Sequence, residues 1–307
     1  MLETLGRVLL FFMFVGLGAL LVRTGRLKSE GLDGMSAFFY WLGFPAYLIH
    51  ALSNLPRPDS AHAVWLGLYI AGFLLAGALC FVLARGLKST PGESMGAAMA
   101  AFVPNTAFLG LPIATNLFGP EVMQSAPILF IADFLVLFFI GCAGLSTASG
   151  FGPGMAVKRT FKNPTVLASI FGVGLMLTGI RLPPLADQFF DLAGRACVPV
   201  ALVTLGGMLG LMPARRLMAF SPTTLIAVGG KLLLAPALMA LVMYLAGMPP
   251  LLFQCAVFMA ACPTAVSVFV QTRVYGLWFE GSAIAIAQST VLSLLTLSGL
   301  ALLLTHG

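Results

Sequence analysis

The sequence predicts an all-α polytopic membrane protein: ten transmembrane helices as two inverted five-helix repeats, with broken, crossing helices 4 and 9. Three observations carry that prediction: the composition, the polar punctuation between apolar runs, and the side on which basic residues fall. Of 307 residues, 60% are hydrophobic and 8% are charged. The mean hydropathy is +1.03. A soluble domain carries about 25% charged residues, so this chain cannot cover a globular surface with solvated side chains. That excludes a soluble enzyme, a nucleic-acid-binding protein and a disordered chain. The net charge of +6 bears on membrane topology, not on nucleic acid.

A membrane helix takes about 20 apolar residues. Ten segments meet this, at Leu5–Val22, Gly34–Ser53, Ala61–Ala84, Ser94–Phe118, Val122–Ser146, Pro164–Ile180, Gln188–Leu211, Ser221–Ala246, Pro250–Val274 and Phe279–Thr305. None alternates like a barrel strand. The first segment has Glu3 and Arg7 in front and Arg23, Arg26 and Lys28 behind. A signal peptide has the reverse charge order, so it reads as a retained helix with its N-terminus outside.

If each segment crosses once, one side collects eleven Lys/Arg, in the clusters at 23–28, 85–88, 158–162 and 215–216 and at Arg273. The other side has Arg7, Arg57 and Arg181. This is a positive-inside pattern. It predicts a multi-pass protein of the cell (cytoplasmic) membrane with both termini on the outer side. The repeats are then residues 1–146 and 164–307, joined by a short cytoplasmic loop at 147–163. An offset of 159 residues superposes Pro104 on Pro263 and Leu5 on Pro164, and inverted repeats are a recurrent transporter plan.

Segment four holds Pro104 and Pro112 with Gly110 between them, and segment nine holds Pro263, all near mid-span. Proline removes a backbone donor and clashes with the preceding turn. Freed backbone groups at membrane depth must be buried in protein or line a wet cavity. If the two breaks cross, two half-helix N-termini converge and favour an anion, while the opposing C-termini offer carbonyls to a cation. Asn105, Thr106, Thr264, Ser267 and Gln271 add neutral hydrogen-bonding groups. The predicted substrate-binding residues are Pro104, Asn105, Thr106, Pro112, Pro263, Thr264, Ser267 and Gln271. Pro45, Pro127, Pro199 and Pro236 read as plain kinks. Segment three has little polar beyond Trp65 and Tyr69 and reads as a packing or lipid-facing helix.

The run from Pro104 to Ile113 resembles the signature of the auxin efflux carrier family. Lys162-Asn163-Pro164, Pro199-Val200-Ala201-Leu202 with Gly206, Lys231 with Pro236, Cys262-Pro263-Thr264-Ala265, Tyr275-Gly276 and Ser289-Thr290 also resemble that family, so the resemblance spans essentially the whole chain. It implies a fold like that of the PIN auxin carriers and the bile-acid sodium symporters. Helices 1, 2, 6 and 7 would form a scaffold, and helices 3–5 and 8–10 a transport unit moving like an elevator. It further implies small organic anions as substrates and a homodimer through the scaffold. The chain departs from the family at Ser267, where asparagine is frequent, and at Thr272-Arg273. The long cytoplasmic loop of plant carriers is reduced here to about Thr147–Asn163, and the short chain suggests a prokaryotic member.

Ionisable residues inside spans are functional hypotheses by default. Asp133 and Lys231 fall near the middle of segments five and eight. They are ion-coupling candidates: Asp133 could carry a coupling proton, pair with Lys231, or touch the ligand. The coupling ion could be a proton or sodium, and a sodium-coupled symporter of the bile-acid type is the alternative within the class. The alternative from another class is a metal-dependent intramembrane enzyme using Asp187 and Asp191. No metal or other cofactor is expected, and no nucleic acid; the partners are the anion, lipid and a second copy.

Arg195 reads as a snorkelling residue, and His50 and His62 as interfacial. Gly92-Glu93-Ser94-Met95-Gly96 matches a nucleophile elbow, but no strand precedes it; Ser94 reads as a helix N-cap or a loop residue. The five cysteines have no metal spacing and read as small hydrophobes. Gly206 and Gly210 fit close helix packing.

Overall fold

The computed structural model describes residues 2–58, 63–213, 215 and 221–306, without the side chains of 2–11, 108, 112, 116, 120, 123, 124, 302, 305 and 306. His62, Arg216 and the His306 side chain therefore lie outside the described residues. The described residues are helical, with one isolated antiparallel bridge.

In chain order the helices are α1 (Leu2–Arg23), α2 (Ser29–Ser53), α3 (Ala63–Gly86), α4 (Pro91–Phe102), α5 (106–118), α6 (Ala126–Ala148), α7 (Pro153–Thr160), α8 (Pro164–Thr178), α9 (Pro184–Leu211), α10 (Pro222–Leu245), α11 (Pro250–Ala261), α12 (Val266–Val274) and α13 (Phe279–His306). Six described helices are long and apolar enough to cross a membrane: α2, α3, α6, α9, α10 and α13. The pair α7–α8, bent by 62°, would make a seventh. Helix length therefore establishes fewer spans than the ten predicted. Segments four and nine are each split in two by their breaks, which removes both from any count of long helices.

Local chemistry sets the ends. Asn163 caps α8 by accepting from the Thr165 N–H at 2.9 Å. Ser221 caps α10, accepting from the Thr224 N–H at 3.1 Å. Gly179, at φ +73°, closes α8 in the left-handed conformation. Thr90, not Ser94, caps α4: its hydroxyl accepts from the Glu93 N–H, and the Glu93 carboxylate returns to the Thr90 N–H at 2.8 Å. This capping box corrects the reading of Ser94, whose hydroxyl donates to the Thr90 carbonyl.

Four helices contain a π-helical turn: Phe39–Gly43 in α2, Thr106–Gly110 in α5, Ile131–Leu137 in α6 and Gly230–Leu234 in α10. Three of these end two residues before a proline, at Pro45, Pro112 and Pro236. A proline ring clashes with the carbonyl four residues back, and widening that turn relieves the clash. Pro45 and Pro236 are thus more than plain kinks. Asp133 and Lys231 sit in two of these turns, and π turns occur frequently at functional sites.

α1 packs along α9 with backbone against backbone. A Cβ on Gly206 would lie 1.9 Å from the Val15 carbonyl oxygen, and one on Gly18 2.1 Å from the Val203 oxygen. Gly206 and Gly210 thus serve packing inside the chain. Long-range polar contacts join segment ends predicted on the same side. Arg273 meets Asp33 at 2.5 Å, and Ser89 meets Thr223 at 2.7 Å. On the opposite side, Arg181 donates to the Ser53 carbonyl at 2.7 Å, and Arg57 donates to the Thr178 carbonyl.

Candidate functional site

The two helix breaks meet. α4 ends at Phe102 and α11 at Ala261, and the unwound stretches after them pair as a short antiparallel bridge between Pro104 and Thr264. The Asn105 N–H donates to the Pro263 carbonyl at 2.9 Å, and the Ala265 N–H to the Val103 carbonyl at 3.1 Å. Backbone groups freed by the prolines are thereby satisfied inside the protein, as membrane depth requires.

Both half-helix C-termini receive a side-chain donor. The Thr264 hydroxyl donates to the Ala100 carbonyl of α4 at 2.8 Å. The Lys231 ammonium donates to the Ala260 carbonyl of α11 at 2.9 Å. The N-termini face the other way. α5 starts at Thr106 and α12 at Val266, and the first N–H groups of a helix have no intrahelical acceptor.

Beside the bridge lies a cavity of about 190 Å³. Its wall is Phe39 and Phe44 of α2, Phe134 of α6, Val198, Ala201 and Leu202 of α9, and 104–107, Leu109 and 265–267 from the two breaks. Among the described residues, no Lys, Arg, His, Asp or Glu lines it. Sites for drug-sized ligands run from about 300 to 1,000 Å³, so this one suits a small molecule. Its polar side chains are Asn105, Thr106 and Ser267, all buried. The hydroxyls of Thr106 and Ser267 make no hydrogen bond, although an unsatisfied buried hydroxyl costs about 1–3 kcal/mol. They remain available to a ligand.

Of the eight predicted binding residues, the cavity brings together Pro104, Asn105, Thr106 and Ser267. Pro263 and Thr264 stand behind it, engaged in the bridge and the α4 terminus. Gln271 is elsewhere: its side-chain oxygen accepts from Asn163 at 3.1 Å. Pro112 lies in the first turn of the Leu111–Phe118 stretch of α5, and its side chain is outside the described residues. Residue type alone could not separate ligand-facing from bridge-forming polar groups.

Behind Thr106 is a second polar layer. Asp133 is buried, and neither carboxylate oxygen makes a hydrogen bond. Its polar neighbours are the hydroxyls of Thr106 and Tyr69. The Tyr69 hydroxyl is likewise buried without a partner. Lys231 is also close enough to act on Asp133 electrostatically, but no ion pair forms between them; of the three roles open to Asp133, direct pairing with Lys231 is not seen, and the ammonium group donates to Ala260 instead. Tyr69 is the residue that sequence reasoning missed. Its signal was a lone hydroxyl in an otherwise apolar span.

Asp187 and Asp191 do not face the cavity. Asp187 takes His50 Nδ1 at 2.8 Å and Asn54 Nδ2 at 3.0 Å. Asp191 pairs with Arg195 at 2.7 Å and lies 3.5 Å from His50 Nε2. His50 is thus held by two carboxylates. All five cysteines are buried and free.

Residues 153–301 match the family described as membrane transport proteins. Over those residues the chain is similar to that family. It is the family to which the fourth-segment signature pointed. Over its full length, and 98% of the relative's, the chain is 28% identical to a "Putative malonate transporter" of Rhizobium meliloti (strain 1021). It is 26% identical to an uncharacterized transporter of Methanothermobacter thermautotrophicus, over 94% of this chain and 95% of that one. A further uncharacterized transporter, from Methanocaldococcus jannaschii, is 24% identical over 65% of this chain and 67% of its own.

Proposed function

We propose that this transporter carries small organic anions, mono- or dicarboxylates, by secondary transport and catalyses no reaction. The observation that carries the reading is the meeting of two helix breaks beside a small, buried, uncharged cavity. A carboxylate there would accept from the open N–H groups of α5 and α12 and from Asn105, Thr106 and Ser267. Helix N-termini favour anions, and half-helices serve this purpose in other transporters. The malonate named for the relative in Rhizobium is of the fitting size and chemistry.

The cavity lies between helices assigned to the scaffold (α2, α9) and helices assigned to the transport unit (α5, α6, α12). An elevator-like slide of one against the other would carry the site across the membrane. In this reading the segments form ten spans in two inverted repeats, both termini lie outside the cell membrane, and the scaffold forms a homodimer. The test is binding of malonate to purified protein by thermal shift. Wild type should be stabilised and Asn105→Ala should not. An equal shift in both would remove Asn105 from the site.

A further inference from the structure

We propose that Asp133 is a proton-binding site linked to the anion cavity, so that one proton is taken up with each bound carboxylate. The proposal rests on the reading of the cavity as a carboxylate site. Asp133 sits in the π turn of α6, buried, with both oxygens unpartnered. Facing it are the Tyr69 hydroxyl from α3 and the Thr106 hydroxyl from α5, also buried and unpartnered. Four oxygen atoms of three side chains thus face one another in one buried place, close enough to interact but with none in a hydrogen bond of full geometry.

An ionised carboxylate accepts only, and two hydroxyls without a paired cation are few partners for a buried charge, which stays costly. The remaining titratable neighbours are Lys231 from α10 and Cys255 and Cys262 from α11. Lys231 is committed to the Ala260 carbonyl and to the face of Phe73, 4.6 Å from the ring centroid. A proton on Asp133 removes the unpaired charge and turns an acceptor into a donor for the Thr106 or Tyr69 oxygen.

The link to the cavity runs through Thr106, which lines it and also faces Asp133. An ionised Asp133 sets a negative charge behind the anion site, and a protonated Asp133 removes it. Proton and anion then favour each other, and by linkage each raises the other's affinity equally. A sodium ion is the weaker occupant. The helix C-terminal carbonyl that would draw it already holds an ammonium group, and that charge repels a second cation.

The experiment is calorimetric titration of malonate into purified protein at a series of pH values above full ionisation of malonate, in two buffers of different ionisation heat. Wild type should take up about one proton per malonate where Asp133 is ionised. There its affinity should fall about tenfold per pH unit. Asp133→Asn should bind malonate with no proton uptake and a flat pH profile. Buffer-independent heats in wild type across the series, or a pH profile kept by Asp133→Asn, would overturn the proposal. An infrared pH titration without ligand tests Asp133 alone: a buried carboxyl band should vanish on alkalinisation, be absent from Asp133→Asn, and ignore sodium against potassium. A wild type that gives the band but no malonate heat would fail the carboxylate reading and not the proton site. A carboxylate ionised throughout, or a sodium-specific shift, would fail the proton site itself.

Discussion

The contact between α1 and α9 and the contact between the two broken spans are both close approaches of backbone, yet they are built from opposite materials. Along α1 and α9, glycines let carbonyls of one helix touch the backbone of the other with no side chain between. At the breaks, proline removes the regular ladder, and the exposed backbone is rebuilt into a two-residue bridge, a threonine cap and a lysine cap. The first contact spends its closeness on packing. The second leaves hydroxyls and a carboxylate without partners beside a cavity. Size should therefore govern the first region and polarity the second.

The largest effect is expected where size governs. Gly206→Leu would drive a side chain into the Val15 carbonyl, and backbone cannot step aside as a rotamer can. Overpacking in cores costs about 1–3 kcal/mol, occasionally more, and here the clash is with backbone on both helices. Loss of the monodisperse peak in detergent chromatography, or a strongly lowered melting temperature, is the expected result. A normally folded variant would break the comparison at its first term.

Polarity should govern at the cavity. Asn105→Ala leaves room and removes a buried donor and acceptor, so folding should survive while malonate affinity falls about tenfold or more, as expected for a hydrogen bond to a charged group of about 1.5–3 kcal/mol. Ser267→Ala should lose less, because the helix N-terminus that carries it remains. Calorimetry ranks the two, and the reverse order would shift the anion toward α12.

How much of this was legible beforehand follows the same division. Helix ends written in local chemistry were readable: Pro164, Ser221 and Pro250 mark the starts of α8, α10 and α11 to within a residue. Segment five was placed to start at Val122, but its α-helix begins at Ala126, with Pro127 in its first turn after a 3₁₀ stretch over Pro120–Ser125. The meeting of breaks was expected from their prolines. Which hydroxyl faces ligand and which faces backbone was not, since Thr264 and Thr106 read alike until α4 is packed beside α11. The pairing of Gln271 with Asn163, 108 residues apart, and of Tyr69 with Asp133 depends wholly on tertiary contact. Spans apolar on every face give no amphipathic stripe from which such partners could be read.

A smaller effect is expected at the entrance to the broken region. Thr90→Ala removes the cap of α4 and should cost about 0.5–2 kcal/mol, seen as a modest fall in melting temperature. Malonate affinity should be unchanged, because the cap acts on the far end of a helix whose near end is held by Thr264. A loss of affinity equal to that of Asn105→Ala would mean that α4 transmits strain to the cavity, and the division between packing and site would blur.

The smallest expected effect on stability falls where the two regions touch. Arg273 of α12 reaches Asp33 of α2 at 2.5 Å and Met208 of α9 at 3.6 Å. Asp33 is 66% exposed, and exposed ion pairs contribute about 0–1 kcal/mol, so Arg273→Ala should barely move the melting temperature. Its place gives it another consequence. If the broken region slides past α2 and α9 during transport, this pair must open in every cycle, and its loss shifts the balance between the two positions without touching the anion site. Uptake into proteoliposomes should then change severalfold in rate, and Asp33→Ala should reproduce the change. A rate unaltered in both variants would mean that Asp33 and Arg273 travel together, and that the moving boundary lies elsewhere than between α2 and α12.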